Sequence, residues 1–260
     1  LSPAIVSADG STIHVSDTDE AAAERAEVQA GRLPYRYGLQ WQAPFQERVA
    51  AQLRPGIRVL DVGSGARPAV PSDQRPRGCH YVGMDVSARE LERAGPDAYD
   101  EIVVGDVCTP IPSLSAAFDL VVSWQVLEHV SSMRAALDNQ RAALAPGGRM
   151  IAMLSGTWAI YALAARVIPH RTSITLQTRL LGADPRDKFP ARYDGCSDRS
   201  LRRQLTESGW SSWEVVPYYK AGGYLRFSRP LLRSYLAYEN WAERTGRANL
   251  ATHYLVEAVA

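Results

Sequence analysis

The sequence predicts an α/β protein, a parallel sheet doubly wound by helices. Three observations carry that expectation. Four blocks, residues 59–65, 81–85, 105–107 and 118–124, each read as a strand running into a turn. Three of those turns bear glycines or an acid. From Ile57 to Leu154, strand-like and helix-like stretches alternate, which is the pattern of a parallel sheet with crossover helices. Ligands of open α/β sheets bind outside the carboxyl ends of the strands. Polar strand ends in succession therefore describe one crevice, of a kind suited to a nucleotide-like ligand.

The elements follow in order. Residues 1–16 hold two short apolar stretches around Ala8-Asp-Gly10, a hairpin turn or a disordered arm. Asp17-Thr-Asp-Glu20 caps a helix reaching about Ala30, with acids in the first turn as the helix dipole prefers. A second helix spans about Trp41 to Leu53 and stops at Arg54-Pro-Gly56. Strands are expected at 57–62, 80–85, 101–104, 118–124 and 148–154, and helices at 87–94 and 131–144. Between Gly65 and His80 stand Pro68, Pro71 and Pro76, which preclude a long regular helix in the first crossover. Helical pieces at 158–167 and 174–182 and a polar loop make up an insertion over 155–197. Connections of that length commonly lie over a site. A helix at 198–208, a strand at 212–217, a helix at 229–244 and a strand at 251–259 complete the chain. The expected division is a 1–56 arm, a 57–154 core, a 155–197 cap and a 198–260 completion of the sheet.

Composition narrows the function classes. Of 260 residues, 46% are hydrophobic, enough for a full core. Twenty-nine basic against 28 acidic residues leave a net charge of +1, without the basic surplus of a nucleic-acid binder. Cys79, Cys108 and Cys196 have no C-x-x-C spacing, so neither a disulfide framework nor a zinc site is expected. No apolar run approaches the roughly 18 residues of a membrane span. The start lacks the basic segment of a signal peptide. The expectation is a soluble cytoplasmic protein, monomer or homodimer, acting on a small-molecule or oligosaccharide acceptor.

The crevice residues sharpen this. Asp61-Val-Gly63-Ser-Gly65 gives a tight turn where backbone can approach a ligand. Asp85, ending the second core strand, is placed like an acid that accepts from ribose hydroxyls. No Gly-Lys-Ser/Thr follows, and Arg67 or Pro68 replaces a third glycine, so a nucleoside without pyrophosphate is expected.

Together with Gly105-Asp106, Phe118-Asp-Leu-Val121, Leu127-Glu-His-Val130 and Leu144-Ala-Pro-Gly-Gly-Arg149, these blocks resemble the class I S-adenosylmethionine-dependent methyltransferases, in particular the ubiquinone/menaquinone-type subgroup. The resemblance is close over 57–154 and loose elsewhere. It implies a Rossmann-like seven-stranded sheet of order 3-2-1-4-5-7-6, its last strand antiparallel, with an inserted helical cap. It implies S-adenosyl-L-methionine as cofactor, with Asp61, Gly63, Ser64 and Gly65 around the methionine portion. Asp85 would hold the ribose, Val86 lie against adenine, Asp106 accept from the adenine amino group and Val107 help read the ring. Trp124 and Gln125 would sit beneath the sulfonium, although Trp124 reads equally well as a core aromatic. Tyr37, with Tyr35 and Trp41, would fold over the cofactor or form a satellite aromatic cluster.

His129 is the candidate general base, since its ordinary pKa lies near neutrality. A packing and capping role stands beside that reading. Relatives with Glu-x-x-Glu-His can hold a divalent metal. Here Gln125 replaces the first acid, so no metal site is assigned and Mg2+ is not favoured. Glu128 reads as a structural or helix-starting acid. For the acceptor, His170, Arg192, Tyr193 and Tyr224 are the candidates. Phe189-Pro-Ala-Arg-Tyr193 and Tyr224-Leu-Arg-Phe-Ser228 are more loosely similar to segments of bacterial glycan methyltransferases, including those of mycobacterial methylmannose polysaccharides. This second resemblance implies a sugar hydroxyl as acceptor. A quinone or phenol is the runner-up, supported by Trp158, Ile160, Tyr161 and Leu163. A non-catalytic protein that only binds the cofactor is the alternative outside enzymes.

Overall fold

The computed structural model describes residues 4–6, 12–14, 19–159, 162 and 192–260. The strands are β1 (Ala4–Val6), β2 (Thr12–His14), β3 (Arg58–Val62), β4 (His80–Asp85), β5 (Glu101–Val104), β6 (Phe118–Trp124), β7 (Leu144–Ser155), β8 (Ser212–Tyr218) and β9 (His253–Val259). The helices are α1 (Asp19–Gln29), α2 (Ala43–Ala50), α3 (Ala88–Arg93), α4 (Met133–Ala143), α5 (Asp198–Glu207) and α6 (Arg229–Arg244). β1 and β2 pair antiparallel, as the expected hairpin requires.

The remaining strands form a seven-stranded sheet in the order β5-β4-β3-β6-β7-β9-β8. Counted from β3, that order is 3-2-1-4-5-7-6. β5, β4, β3, β6 and β7 run parallel, and β9 is antiparallel to both β7 and β8. This is the predicted Rossmann-like topology. β7 begins earlier than expected: Leu144 pairs with Phe118, and the register then shifts before Arg149 meets Leu120.

The sheet is buried on both faces because strand side chains alternate. On one face Leu60, Val62, Val121, Met150 and Ala152 pack with Leu137 of α4 and Leu201 of α5. On the other, Val59, Tyr81, Val122 and Ile151 pack with Phe45 and Val49 of α2. α4 buries Met133, Ala136, Leu137, Gln140 and Ala143, spaced as one helical stripe. Its first turn is capped by the Ser132 hydroxyl, which accepts from the Ala135 N–H. Ser87 caps α3 in the same way, accepting from the Glu90 N–H.

The proline-rich first crossover contains only a 3₁₀ turn, Ser72–Gln74, in keeping with the missing amide donors. The helical pieces expected at 158–167 and 174–182 fall mostly outside the described residues, apart from Ala162, which is helical. Among the described residues, no helix is long and apolar enough to cross a membrane.

Candidate active site at the strand ends

The carboxyl ends of β3, β4, β5, β6 and β7 place their turns side by side. After β3, the N–H groups of Gly63 and Ser64 both donate to the Met84 carbonyl, at 2.7 and 3.2 Å, and so fold the turn against β4. Gly63 has φ +68°, and a Cβ there would overlap the Val126 side chain from the neighbouring strand end. Only glycine satisfies both conditions. Gly65 is also left-handed, at φ +50°. The turn is therefore held as bare backbone, closely packed between the ends of β3 and β4 and the segment that follows β6.

Asp61 shares the face of Val59 by strand alternation. It is 1% exposed, and one carboxylate oxygen accepts from the Ala69 N–H and the Tyr81 hydroxyl, both at 2.7 Å. Burial raises its pKa to about 7, against the lowering effect of those two donors. The Tyr81 hydroxyl in turn accepts from the Val70 N–H, and Arg75 lies 3.7 Å over the Tyr81 ring. This chain of contacts holds the proline-rich crossover to the sheet and fixes the turn from below.

At the end of β4, Asp85 accepts from the Ser87 N–H at 2.8 Å. Burial raises its pKa, while hydrogen bonds from the Ser87, Gly65 and Val86 amides act in the opposite direction. Val86 beside it is 56% exposed, an apolar surface next to a carboxylate. After β5, Asp106 is exposed, and its carboxylate accepts from the Cys108 N–H at 2.8 Å. Val107 is buried, and its carbonyl accepts from the Asn139 side chain of α4.

The mouth between β6 and β7 is more constrained. Gln125 has φ +56°, a strained conformation for a residue with a side chain. Its Oε1 accepts from the Ser155 hydroxyl at 2.7 Å, while its Nε2 is buried without a partner. Glu128 is buried, and one of its oxygens accepts from the Ser155 N–H. Burial raises the Glu128 pKa to about 7. The Glu128 carbonyl accepts from the amides of Arg192 and Tyr193, at 2.9 and 3.0 Å. Thr157 adds a hydrogen bond to the Tyr193 carbonyl. The return of the insertion is thus stitched to the crevice mouth.

A family model described as a methyltransferase domain matches residues 35–215, well over half of the chain. The chain belongs to the methyltransferase domain family. A ubiquinone biosynthesis O-methyltransferase of Bradyrhizobium sp. (strain ORS 278) is 35% identical over 113 residues, covering 42% of this chain and 44% of that protein. The chain spans less than half the length of the curated relatives it matches. Among solved structures, an S-adenosylmethionine-dependent methyltransferase from Archaeoglobus fulgidus aligns with TM-score 0.52 at 13% identity, covering 84% of this chain and 92% of that one. A methyltransferase from Thermotoga maritima, described as a possible histamine N-methyltransferase, aligns with TM-score 0.51 at 14% identity, covering 92% and 99%. At such identities these two structures establish the fold.

Within this methyltransferase domain, Gly63, Ser64, Gly65, Asp85, Val86, Asp106, Val107, Gln125 and His129 lie at or just after the carboxyl ends of adjoining strands. Tyr37 is a correction. It is fully buried beside Leu33 and Leu236, its hydroxyl donates to Glu239 at 2.7 Å and it accepts from the Gly222 N–H. That environment raises its pKa, chiefly through burial. The satellite-cluster reading holds for it, and it is not available to cover a ligand. The Trp124 ring packs with Phe45, centroids 5.0 Å apart, and edge-on to Trp41. This is the packing alternative for that side chain. Asp61 supports the turn from within rather than lining the crevice.

Burial raises the Tyr193 pKa, and the charges of Glu128, Tyr224 and Cys196 act in the same direction. Tyr224 is 60% exposed. Arg192 is exposed beside them. His170 lies outside the described residues, as do Ile160, Tyr161 and Leu163. His253 is buried against Trp41, and burial pushes its pKa well down. Among the described residues, no group of three or more His, Cys, Asp and Glu side chains is placed to hold a metal ion. Sequence reasoning missed Tyr81 and Ser155, which organise the site through contacts that no local spacing marks.

Proposed function

We propose that this chain is an S-adenosylmethionine-dependent O-methyltransferase. The observation that carries the reading is the juxtaposition of a left-handed glycine turn after β3 with carboxylates at the ends of its neighbours β4 and β5. Those residues fit the cofactor. Gly63 and Gly65 offer backbone to the methionine portion, Asp85 has a partly buried carboxylate suited to a ribose diol, and exposed Val86 offers an apolar face to adenine. Asp106 and Val107 complete the adenine side. When bound, the cofactor supplies an electrophilic methyl group on a sulfonium.

The protein's part is alignment and exclusion of water. The strand-end turns hold the donor, while Gln125, Glu128 and the stitched segment at Arg192 and Tyr193 define the facing wall. An acceptor hydroxyl on that side would receive the methyl group, and His129 would take up the hydroxyl proton. Glu128 is a positioning residue in this scheme, fixing the mouth through Ser155, Arg192 and Tyr193.

The acceptor we favour is an aromatic hydroxyl, because the curated relatives are named for ubiquinone biosynthesis and Trp158, Tyr193 and Tyr224 provide aromatic surface. A sugar hydroxyl is the second reading. It draws on the 189–193 and 224–228 segments, and the curated relatives lend it no support. Incubation with methyl-labelled cofactor and parallel panels of catechols, quinols and mannosides decides between them. Label in the catechols or quinols is the expected result, and transfer confined to mannosides would reverse the order. His129→Ala should lower turnover about 10²-fold or more with unchanged affinity for S-adenosylhomocysteine. Wild-type turnover in that variant would remove the base assignment.

A further inference from the structure

Tyr99, just before β5, packs where β4 has no side chain. Tyr81, Gly83 and Asp85 share one face of β4 by strand alternation. A Cβ on Gly83 would lie 2.5 Å from the Tyr99 ring, so the ring fills the space that a side chain at 83 would need. The Tyr81 and Tyr99 rings are 6.2 Å apart between centroids, with planes inclined by only 16°. Beside them, the Asp100 carboxylate accepts from the Tyr81 N–H at 2.6 Å, and the Asp100 N–H donates to the Tyr81 carbonyl. These contacts fix the Tyr99 ring over β4, and its hydroxyl reaches the glycine turn after β3.

That hydroxyl donates to the Gly65 carbonyl at 2.9 Å. Burial pushes its pKa up to about 12, so the phenol keeps the proton it donates. The N–H of the same glycine is bonded to the Asp85 carboxylate. Gly65 is thus tied at both ends, by Tyr99 on its carbonyl and by Asp85 on its amide. A glycine at φ +50° has no side chain to hold its conformation, and its backbone is free to turn once one tie is lost. The two stacked phenols therefore serve different carboxylates. Tyr81 bonds Asp61 directly, and Tyr99 reaches Asp85 through Gly65.

We propose that Tyr99 is a positioning residue for the cofactor ribose, setting the Asp85 carboxylate through Gly65. The role rests on the cofactor reading above and adds the group that orients the ribose-binding acid. Tyr99→Phe is the test, since it keeps the ring over Gly83 and removes only the hydroxyl. Two probes are titrated into the wild-type protein and the variant: S-adenosylhomocysteine, and its 2′,3′-dideoxy analogue, which lacks the diol. Affinity for S-adenosylhomocysteine should fall about 10-fold in Tyr99→Phe, while the analogue binds both proteins within about twofold. Retained binding of the analogue also shows that the variant keeps its fold. Equal losses for the two probes would overturn the assignment, because Tyr99 would then support the turn as a whole. Unchanged affinity for S-adenosylhomocysteine in the variant would overturn the assignment and leave the cofactor reading intact. Absence of S-adenosylhomocysteine binding to the wild type would overturn that reading and the assignment with it.

Discussion

Gly63→Ala is expected to reduce the affinity for S-adenosylhomocysteine about 100-fold or more. Two effects combine in that variant. A side chain at φ +68° costs on the order of 1–2 kcal/mol in backbone strain. Its Cβ also overlaps the Val126 side chain, so either the turn or the β6 end has to move. Movement of the turn breaks the paired donation from Gly63 and Ser64 to the Met84 carbonyl, which sets the distance between β3 and β4 ends. The cradle is then misshapen where the ligand needs closest approach. Calorimetry with S-adenosylhomocysteine, alongside thermal melting to register any loss of fold, checks this. Affinity within threefold of wild type would mean that the turn does not face the ligand.

Glu239→Ala carries the largest expected effect on stability, about 3–5 kcal/mol. Glu239 is 0% exposed and gathers three donors: Arg36 at 3.0 Å, the Tyr37 hydroxyl at 2.7 Å and the Ala221 N–H at 2.7 Å. Arg36 additionally reaches Asn240 and the Tyr219 carbonyl, and Lys220 donates to the carbonyls of Tyr37 and Leu39. Beside them, Glu24 of α1 pairs with Lys220 and Arg226. Removing the carboxylate leaves a partly buried guanidinium and a buried phenol without their acceptor, which is the expensive way to break such a pair. Glu239→Gln, which keeps an acceptor oxygen, should lose clearly less. Urea denaturation of the three proteins measures the difference, and a loss under 1 kcal/mol for the alanine variant would contradict the clasp.

The parallel core was legible because its signals are local. Apolar strands 58–62, 80–85 and 118–124 end in glycine or acid, and α4 shows its buried stripe at helical spacing. The prolines at 68, 71 and 76 likewise announced a crossover without a long helix. The Glu239 clasp was not legible. It joins Arg36 and Tyr37 to a helix some two hundred residues away, and α6 reads locally as an ordinary amphipathic helix. Tyr37 could therefore be read over the cofactor as readily as in a satellite cluster, and the bonds of its hydroxyl to Glu239 and Gly222 favour the second. The site shows the same split. Gly63 and Asp85 carry a pattern in the chain itself. The fixing of Asp61 by Tyr81, and of Gln125 and Glu128 by Ser155, depends on strand neighbours that come together only in the sheet. Glu128, read as a structural or helix-starting acid, takes the structural part: it joins the segment after β6 to Ser155 of β7 and to Arg192 and Tyr193.

The central claim is that the strand-end crevice binds the cofactor with its ribose on Asp85. Titration of S-adenosylhomocysteine into the wild-type protein and into Asp85→Ala tests it most directly. One site per chain is expected in the wild type, with affinity falling about 5- to 150-fold in the variant as the diol loses its acceptor. No binding to the wild type, or equal affinity in both proteins, would contradict the account.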